Sequence, residues 1–151
     1  MPAHQASKRA LAADTGNRGL RLPLIAGAAI GVAQTATPFA FWWLTPATVY
    51  AIGLVFIAAV YIGFSVADGR WKIIAAEVAV ATVFVVVAAV AVTGAAWLLV
   101  VGFTGHGLKD FWQHRTQFVT GTRWWPPFCA AVDFVVAAIL AIALTTGANV
   151  H

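Results

Sequence analysis

Two histidines and an aspartate lie at equal spacing in the segment GHGLKDFWQHR. His106, Asp110 and His114 are four residues apart, so each neighbouring pair lies on one face of a helix. Four residues turn that face by about 40°, so His106 and His114 diverge by about 80° over roughly 12 Å. The spacing therefore lets one ion bridge His106 with Asp110, or Asp110 with His114, but not all three residues.

Imidazoles combined with carboxylates are a ligand set for divalent Zn, Fe or Mn. Sulfur ligands are scarce, because Cys129 and Met1 are the only cysteine and methionine, and this disfavours Cu(I). The metal-free alternative is acid–base chemistry, in which a carboxylate or histidine exchanges protons with a substrate. We expect either a divalent metal held by Asp110 together with His106 or with His114, or proton transfer by these groups.

Two further carboxylates, Glu77 and Asp133, lie in apolar segments. In a membrane such a charge costs about 2.5–3.5 kcal/mol, which makes these residues functional candidates. Because a helix rises about 1.5 Å per residue, Glu77, Asp110 and Asp133 each lie roughly 7–10 Å from the predicted cytoplasmic end of their own segment. The shared depth predicts one catalytic pocket of Glu77, His106, Asp110 and Asp133. The alternative is a hydrogen-bonded cluster that fixes helix packing, with Glu77 paired to Lys72.

The composition indicates that these residues are held within a membrane. The chain has 151 residues, of which 62% are hydrophobic and 9% are charged, whereas soluble domains have about 25% charged residues. A soluble enzyme and a disordered chain are therefore excluded. The single cysteine, Cys129, excludes an intrachain disulfide. No basic stripe is interleaved with aromatic residues, so no nucleic-acid partner is expected.

Apolar runs of about 20 residues predict five membrane-spanning helices, and no segment outside them alternates like a barrel strand. The runs cover residues 22–41, 46–67, 71–92, 95–114 and 126–146. The predicted fold is an all-α integral membrane protein, with a basic cytoplasmic tail (1–21), a five-helix domain (22–147) and a short outer tail (148–151). Alternatively, the first run is a secretory signal, whose removal leaves four spans.

The distribution of Lys and Arg predicts the orientation. With a cytoplasmic N-terminus, all nine lie on the cytoplasmic side, in the tail, the turn at 67–72 and the loop at 109–123. The pieces on the other side hold none. Because cytoplasmic loops carry an excess of Lys and Arg, we expect the N-terminus in the cytoplasm and the C-terminus outside.

Two arginines near the predicted start of the fifth helix are candidates for binding a lipid head group. Arg115 and Arg123 precede Pro126, and a helix start together with positive charge attracts phosphate. The alternative role for both arginines is ordinary anchoring at the cytoplasmic interface.

Small residues predict where helices approach closely. Gly27 and Gly31 have the four-residue spacing of a helix-packing motif. Gly102 and Gly107 flank His106 on its own segment. We expect helix packing, rather than ligand contact, at these glycines.

Four segments together resemble a family of small bacterial multi-pass membrane proteins with no assigned function. They are ADGR (67–70), Glu77, HGLKDFWQHR (106–115) and RWWPPFCAAVD (123–133). Members of that family carry H-G-x-x-D-x-x-x-H-[HR] followed by R-W-[WY]-P-P-F-C-x-x-x-D, and the second motif is the more specific. The resemblance spans about residues 60–140. It implies a bacterial cytoplasmic (inner) membrane and marks the same polar residues, but it supplies no reaction.

These observations support two hypotheses of different class. The first is a cytoplasm-facing intramembrane pocket that performs acid–base or metal-assisted chemistry on, or binds, a lipid-soluble or amphiphilic small molecule. The alternative is a non-catalytic membrane subunit or a proton- or ion-coupled carrier, whose polar cluster fixes packing or relays protons. The expected partners are membrane lipids, and either a second copy of the chain or a larger membrane complex.

Overall fold

The computed structural model describes residues 2–150, with side chains from residue 19 onward, and within that range the chain is helical and has no strand. The predicted tail's side chains up to residue 18, and residue 151, lie outside the described part. The helices are α1 (Pro2–Thr35), α2 (Thr37–Ala40), α3 (Pro46–Asp68), α4 (Trp71–Thr93), α5 (Trp97–Thr116) and α6 (Trp125–Thr145).

Three of these helices, α3, α4 and α6, are long and apolar enough to cross a membrane. They correspond to the second, third and fifth predicted spans, and each end lies within one residue of its prediction. An all-helical fold with helices able to cross a membrane is therefore confirmed for these three helices. Helix α1 begins before the first predicted span and ends at Thr35, and α2 forms a separate short helix within the last part of that span.

Local sequence signals explain where α3 begins and ends. Thr45 precedes the helix, and its hydroxyl accepts a hydrogen bond from the Thr48 amide at 3.3 Å. Pro46 occupies the first turn, where its missing N–H costs nothing. At the other end Gly69 adopts a left-handed conformation with φ 78°, and its amide donates to the Ser65 carbonyl. Glycine adopts this conformation without strain, which ends α3 and lets α4 begin two residues later.

Helix α6 is the shared partner of α1 and α5, while α3 packs along α4 and both contact α5. The α1–α6 contact is close because Gly27 and Gly31 have no side chains. A Cβ at Gly31 would lie 2.9 Å from the Cβ of Val135, and one at Gly27 would collide with the Phe128 carbonyl. The predicted packing role of Gly27 and Gly31 is therefore confirmed.

Two hydrophobic clusters occupy different levels of the helix bundle. The smaller cluster contains Tyr61, Ile73 and Val119, with Phe64 and Phe118 packed against it. The larger one involves α3, α4, α5 and α6 and contains Ala47, Tyr50, Ala51, Leu54, Ala88, Ala91, Leu99, Phe103, Val132, Val136, Ala137 and Leu140.

Contacts between loops define the two ends of the bundle. At one end, the Arg70 guanidinium in the α3–α4 turn donates to the Phe118 carbonyl in the α5–α6 loop at 2.8 Å. At the other end, the Ala47 amide at the start of α3 donates to the Val150 carbonyl at 2.7 Å. The α3–α4 turn and the α5–α6 loop therefore lie side by side.

The predicted loop over 109–123 is wrong in its first part. Helix α5 continues to Thr116 and ends where Gln117 adopts a left-handed conformation with φ 50°. Lys109 therefore lies inside α5, and the loop begins eight residues later than predicted. This difference changes the role of Lys109, whose side chain is largely covered.

Candidate functional site

The site is built around a hydrogen bond between α5 and α6. The Nδ1 atom of His106 lies 2.7 Å from Oδ2 of Asp133. Both residues are buried, with exposed fractions of 1% and 0%. Gly107 permits this contact, because a Cβ there would lie 3.2 Å from the Asp133 Cβ and 3.1 Å from the Phe134 ring. The two helices therefore approach most closely where the polar pair forms.

Asp110 adds a second carboxylate, one turn after His106 on the same face of α5. Its Oδ2 atom is 3.5 Å from Nδ1 of His106, and the residue is fully buried. Within the described part of the chain, neither Asp110 oxygen has a hydrogen-bond partner, and Oδ1 of Asp133 has none either. Buried polar atoms are nearly always paired, so these three oxygens mark a place that a further group can occupy.

The donor atoms of His106, Asp110 and Asp133 form a compact set, which we call the triad. One ligand atom from each residue lies within 4.8 Å of the other two. The bond to Asp133 uses Nδ1 of His106, so Nε2 is the second imidazole nitrogen of the site. The triad therefore offers one nitrogen and several carboxylate oxygens to a ligand or to a transferred proton.

A charged pair lies next to the triad. Lys109 Nζ donates to Oε2 of Glu77 at 2.8 Å, and this bond joins α5 to α4. The same Nζ lies 3.2 Å from the centroid of the Tyr61 ring. An ammonium group over an aromatic face is attracted by the ring's negative charge density. Glu77, predicted as a pocket residue with Lys72 as its alternative partner, is thus paired with Lys109 instead.

Aromatic rings wall the triad on the α3 and α4 sides. The Phe84 ring meets the His106 ring edge-on at 4.9 Å between centroids, and the Tyr61 ring is 6.0 Å away. The buried hydroxyl of Tyr61 interacts with the Asp110 carboxylate but makes no hydrogen bond of standard geometry. The polar groups therefore sit against low-dielectric walls, where unpaired charge is costly.

The α5–α6 loop covers the neighbouring level of the bundle. Val119, fully buried, packs with Tyr61 in the smaller hydrophobic cluster. Gln113 holds the loop, since its amide nitrogen donates to the Val119 carbonyl at 3.1 Å. The Thr122 hydroxyl donates to the same carbonyl at 2.9 Å. The covering segment is therefore fixed by buried hydrogen bonds.

A second polar group, which we call the Asp68 clasp, ties this loop to the end of α3. Oδ2 of Asp68 accepts hydrogen bonds from the Thr120 amide at 2.8 Å and the Thr120 hydroxyl at 2.6 Å. The Arg70 guanidinium donates through Nη2 to the same oxygen at 2.7 Å and through Nε to Oδ1. The hydrogen bonds to Asp68, together with its negative charge, raise the pKa of Arg70, which lies outside the helices. Both carboxylate oxygens of Asp68 are therefore engaged.

The structure separates His114 from the triad, although it was predicted as a metal ligand with His106 and Asp110. His114 lines an apolar groove of about 210 Å³ with residues of α1 and α6, among them Leu24 and Pro127. Asp133 takes the third place in the cluster. The reason is geometric, because eight residues along α5 rotate the side chain well away from that of His106.

Arg115 and Arg123, the predicted head-group ligands, are both exposed. The Arg115 guanidinium lies 4.7 Å from the centroid of the Phe111 ring on the preceding turn. Arg123 follows the buried Thr122 in the α5–α6 loop. Head-group binding by these two arginines stays a prediction.

Sequence reasoning missed Lys109, Tyr61 and Gln113. The signal for Gln113 is its spacing, because residues 106, 110 and 113 follow the i, i+4, i+7 pattern of one helix face. Lys109 lies one position before Asp110 and shares that turn of α5. Tyr61 is one of two tyrosines in the chain and lies within an apolar run, where its hydroxyl needs a partner.

Comparison with known proteins finds no match among family models, curated proteins or solved structures. The functional assignment therefore depends on the chemistry of the triad and its neighbours.

The triad can perform two kinds of chemistry. A carboxylate bonded to Nδ1 fixes the tautomer and orientation of an imidazole, which leaves Nε2 able to exchange a proton with a substrate. Alternatively, one nitrogen and two carboxylates can coordinate a divalent ion. Both depend on the unpaired oxygens of Asp110 and Asp133.

Proposed function

We propose that the chain is a five-span protein of the bacterial cytoplasmic membrane, with its N-terminus in the cytoplasm and its C-terminus outside. Three of the five proposed spans correspond to helices that are long and apolar enough to cross a membrane. The contact between the α3–α4 turn and the α5–α6 loop is consistent with the proposed orientation, because Arg70, Lys72 and Arg123 then lie at one end of the bundle. Under the positive-inside rule that end faces the cytoplasm.

We further propose that the triad acts on, or binds, a lipid-soluble or amphiphilic small molecule through acid–base or metal-assisted chemistry. The observation that supports this most directly is the buried His106–Asp133 bond beside the unpaired carboxylate of Asp110. Ionisable groups within membrane segments are costly and mark functional sites by default. Such a cluster is retained when its chemistry is needed.

The chemical class of the substrate follows from the surroundings of the triad. Its walls are aromatic, from Phe84 and Tyr61, so the molecule carries an apolar part. The triad requires a polar or proton-bearing group on the same molecule. Arg115, exposed at the end of α5, is placed to contact an anionic head group when that end faces the cytoplasm.

The test compares membranes that contain the wild-type protein with membranes that contain His106→Gln or Asp133→Asn. We expect untargeted mass spectrometry of membrane extracts to reveal a small molecule whose turnover falls about 100-fold or more in both variants, as general acid–base catalysis contributes about 10²–10⁴-fold. His114→Gln is the matched control, because it removes a histidine of the same helix that lies outside the triad. Equal extracts from all four proteins would contradict the proposal.

A second candidate function is favoured by the enclosure of the triad. Its three residues have exposed fractions of 1% or less, as in a packing cluster or a proton relay of a non-catalytic subunit or carrier. In that case His106→Gln and Asp133→Asn lower the melting temperature in detergent or prevent complex assembly, while the extracts stay unchanged. Melting curves recorded beside the extracts therefore separate the two functions.

A further inference from the structure

We infer that His106 Nδ1, Asp110 and Asp133 form a binding site for one divalent transition-metal ion. This inference rests on the proposed function because it takes the triad as the functional site. It adds that a metal ion binds there. The ligand set differs from the one that the sequence predicts, because Asp133 of α6 replaces His114.

The distances within the triad suit a metal ion. Bonds from zinc to nitrogen or oxygen are about 2.0–2.2 Å, so neighbouring ligand atoms stand about 3.0 Å apart in octahedral and about 3.4 Å apart in tetrahedral coordination. Nδ1 of His106 lies 2.7 Å from Asp133 and 3.5 Å from Asp110. The whole set spans 4.8 Å, so small side-chain rotations bring the three residues to one ion.

Three buried oxygens provide an independent reason to place a ligand there. Both oxygens of Asp110 and one of Asp133 lack any hydrogen-bond partner, and both residues have an exposed fraction of 0%. An unpaired buried carboxylate oxygen is expensive because it has lost its hydration. A metal ion can coordinate oxygens of Asp110 and Asp133 at the same time, whereas a single hydrogen-bond donor pairs with fewer of them.

The charges around the triad are compatible with a divalent cation. Glu77 and Lys109 neutralise each other through their 2.8 Å ion pair, so neither is needed to balance a bound ion. Ligands lose their protons when a metal binds, and the carboxylates of Asp110 and Asp133 then match the two positive charges of one divalent ion beside a neutral His106.

The donor atoms restrict the identity of the ion. One imidazole nitrogen with carboxylate oxygens suits Mn²⁺, Fe²⁺ or Zn²⁺, whereas Ca²⁺ and Mg²⁺ prefer oxygen ligands alone. Three protein ligands also leave coordination positions open, as in catalytic rather than structural sites. When bound there, the ion lowers the pKa of a coordinated water and so supplies a base for proton transfer.

The test measures metal binding directly, without any substrate. The full-length protein in detergent is stripped with a chelator, dialysed and titrated with Mn²⁺, whose free fraction is read by electron paramagnetic resonance. We expect one equivalent to bind. We expect His106→Ala and Asp133→Asn to weaken binding by at least about 100-fold, because loss of an outer-shell partner alone costs about 10–100-fold.

Two further variants make the result decisive. Asp133→Glu keeps a carboxylate and should recover part of the affinity, whereas His114→Gln should bind like the wild type. Absence of stoichiometric Mn²⁺, Fe²⁺ and Zn²⁺ binding by the folded wild type would overturn the inference. So would equal loss of binding in His114→Gln. Metal content assayed beside the membrane extracts distinguishes its failure from that of the proposed function.

Discussion

Two aspartates of this protein have opposite surroundings. Asp68, at the end of α3, accepts hydrogen bonds from Arg70 and from both the amide and the hydroxyl of Thr120. Asp110, inside α5, has an imidazole nitrogen at 3.5 Å and no hydrogen-bond partner for either oxygen. Both oxygens of Asp68 have hydrogen-bond partners, whereas the oxygens of Asp110 have none within the described part of the chain.

The difference separates structural from functional use of the same side chain. A carboxylate whose partners are all supplied by the chain holds a loop in place and leaves no acceptor for a ligand. A buried carboxylate without partners costs stability, and a protein retains it when another group completes it. Asp68 can therefore be compared with Asp110 as a carboxylate whose hydrogen-bond partners are supplied by the protein itself.

The largest effect should come from breaking the ion pair beside the triad. Lys109→Met leaves Glu77 buried without its partner, which costs about 3–5 kcal/mol in the free energy of unfolding. The measurement is the free energy of unfolding in mixed detergent micelles. Glu77→Gln combined with Lys109→Met should recover most of the loss. A single variant as stable as the wild type would mean that water already solvates Glu77.

The next effect should have the opposite sign. Asp110→Asn replaces a carboxyl group that has no hydrogen-bond partner in the described part of the chain with an amide that cannot become negatively charged, so the metal-free protein should gain stability, by about 1–3 kcal/mol. Melting curves of chelator-treated protein provide the measurement. A loss of stability as large as that of Lys109→Met would show that the Asp110 oxygens already have partners in the metal-free protein.

A smaller loss should follow removal of the clasp. Asp68→Ala takes away the acceptor of the Thr120 amide and hydroxyl and frees Arg70. The melting temperature should fall by several degrees, and a protease should cleave the α5–α6 loop faster. Thr120→Ala, which removes only the hydroxyl donor, should show about half of this change. An unchanged cleavage rate in Asp68→Ala would contradict the role of the clasp.

The smallest effect should be that of salt. At 1 M ionic strength the Debye length is about 3 Å, so exposed charge pairs are weakened and buried pairs are not. The melting temperature of the wild-type protein should therefore fall slightly between 0.1 and 1 M NaCl. The melting temperature of Asp68→Ala should fall by less over the same range. Equal salt dependence in both proteins would place the relevant charges elsewhere.

The helix ends could be predicted from sequence because their signals are local. Thr45 with Pro46 begins α3, and Gly69 ends it in a left-handed conformation. Pro126 and Pro127 lie in the first turn of α6, as predicted. Each of these signals acts through one or two residues and does not depend on the rest of the fold.

The triad could be predicted in part. Depth along each helix follows from counting residues, and it brought Asp110 and Asp133 to one level. Which face each helix turns inward depends on packing, and Gly107 decides this by admitting α6 beside it. Counting could therefore not choose between His114 and Asp133.

Two other features were hidden for different reasons. Lys109 matched the positive-inside pattern, so its charge was assigned to a loop rather than to a buried pair with Glu77. The Asp68 clasp joins residues 52 positions apart, and no periodicity connects Asp68 with Thr120. Contacts of this range become visible only when the fold is known.

Because Gly107 has no side chain, the main chains of α5 and α6 lie close together beside the triad. A methyl group at Gly107 would press on the Asp133 Cβ at 3.2 Å, so the helices would have to part by a few tenths of an ångström. The spacing of the α5 and α6 main chains beside the triad thus depends on the missing side chain at Gly107. On the inference that the triad binds a metal ion, Gly107→Ala moves the ligands of the two helices apart and should shift the preference of the site towards larger ions.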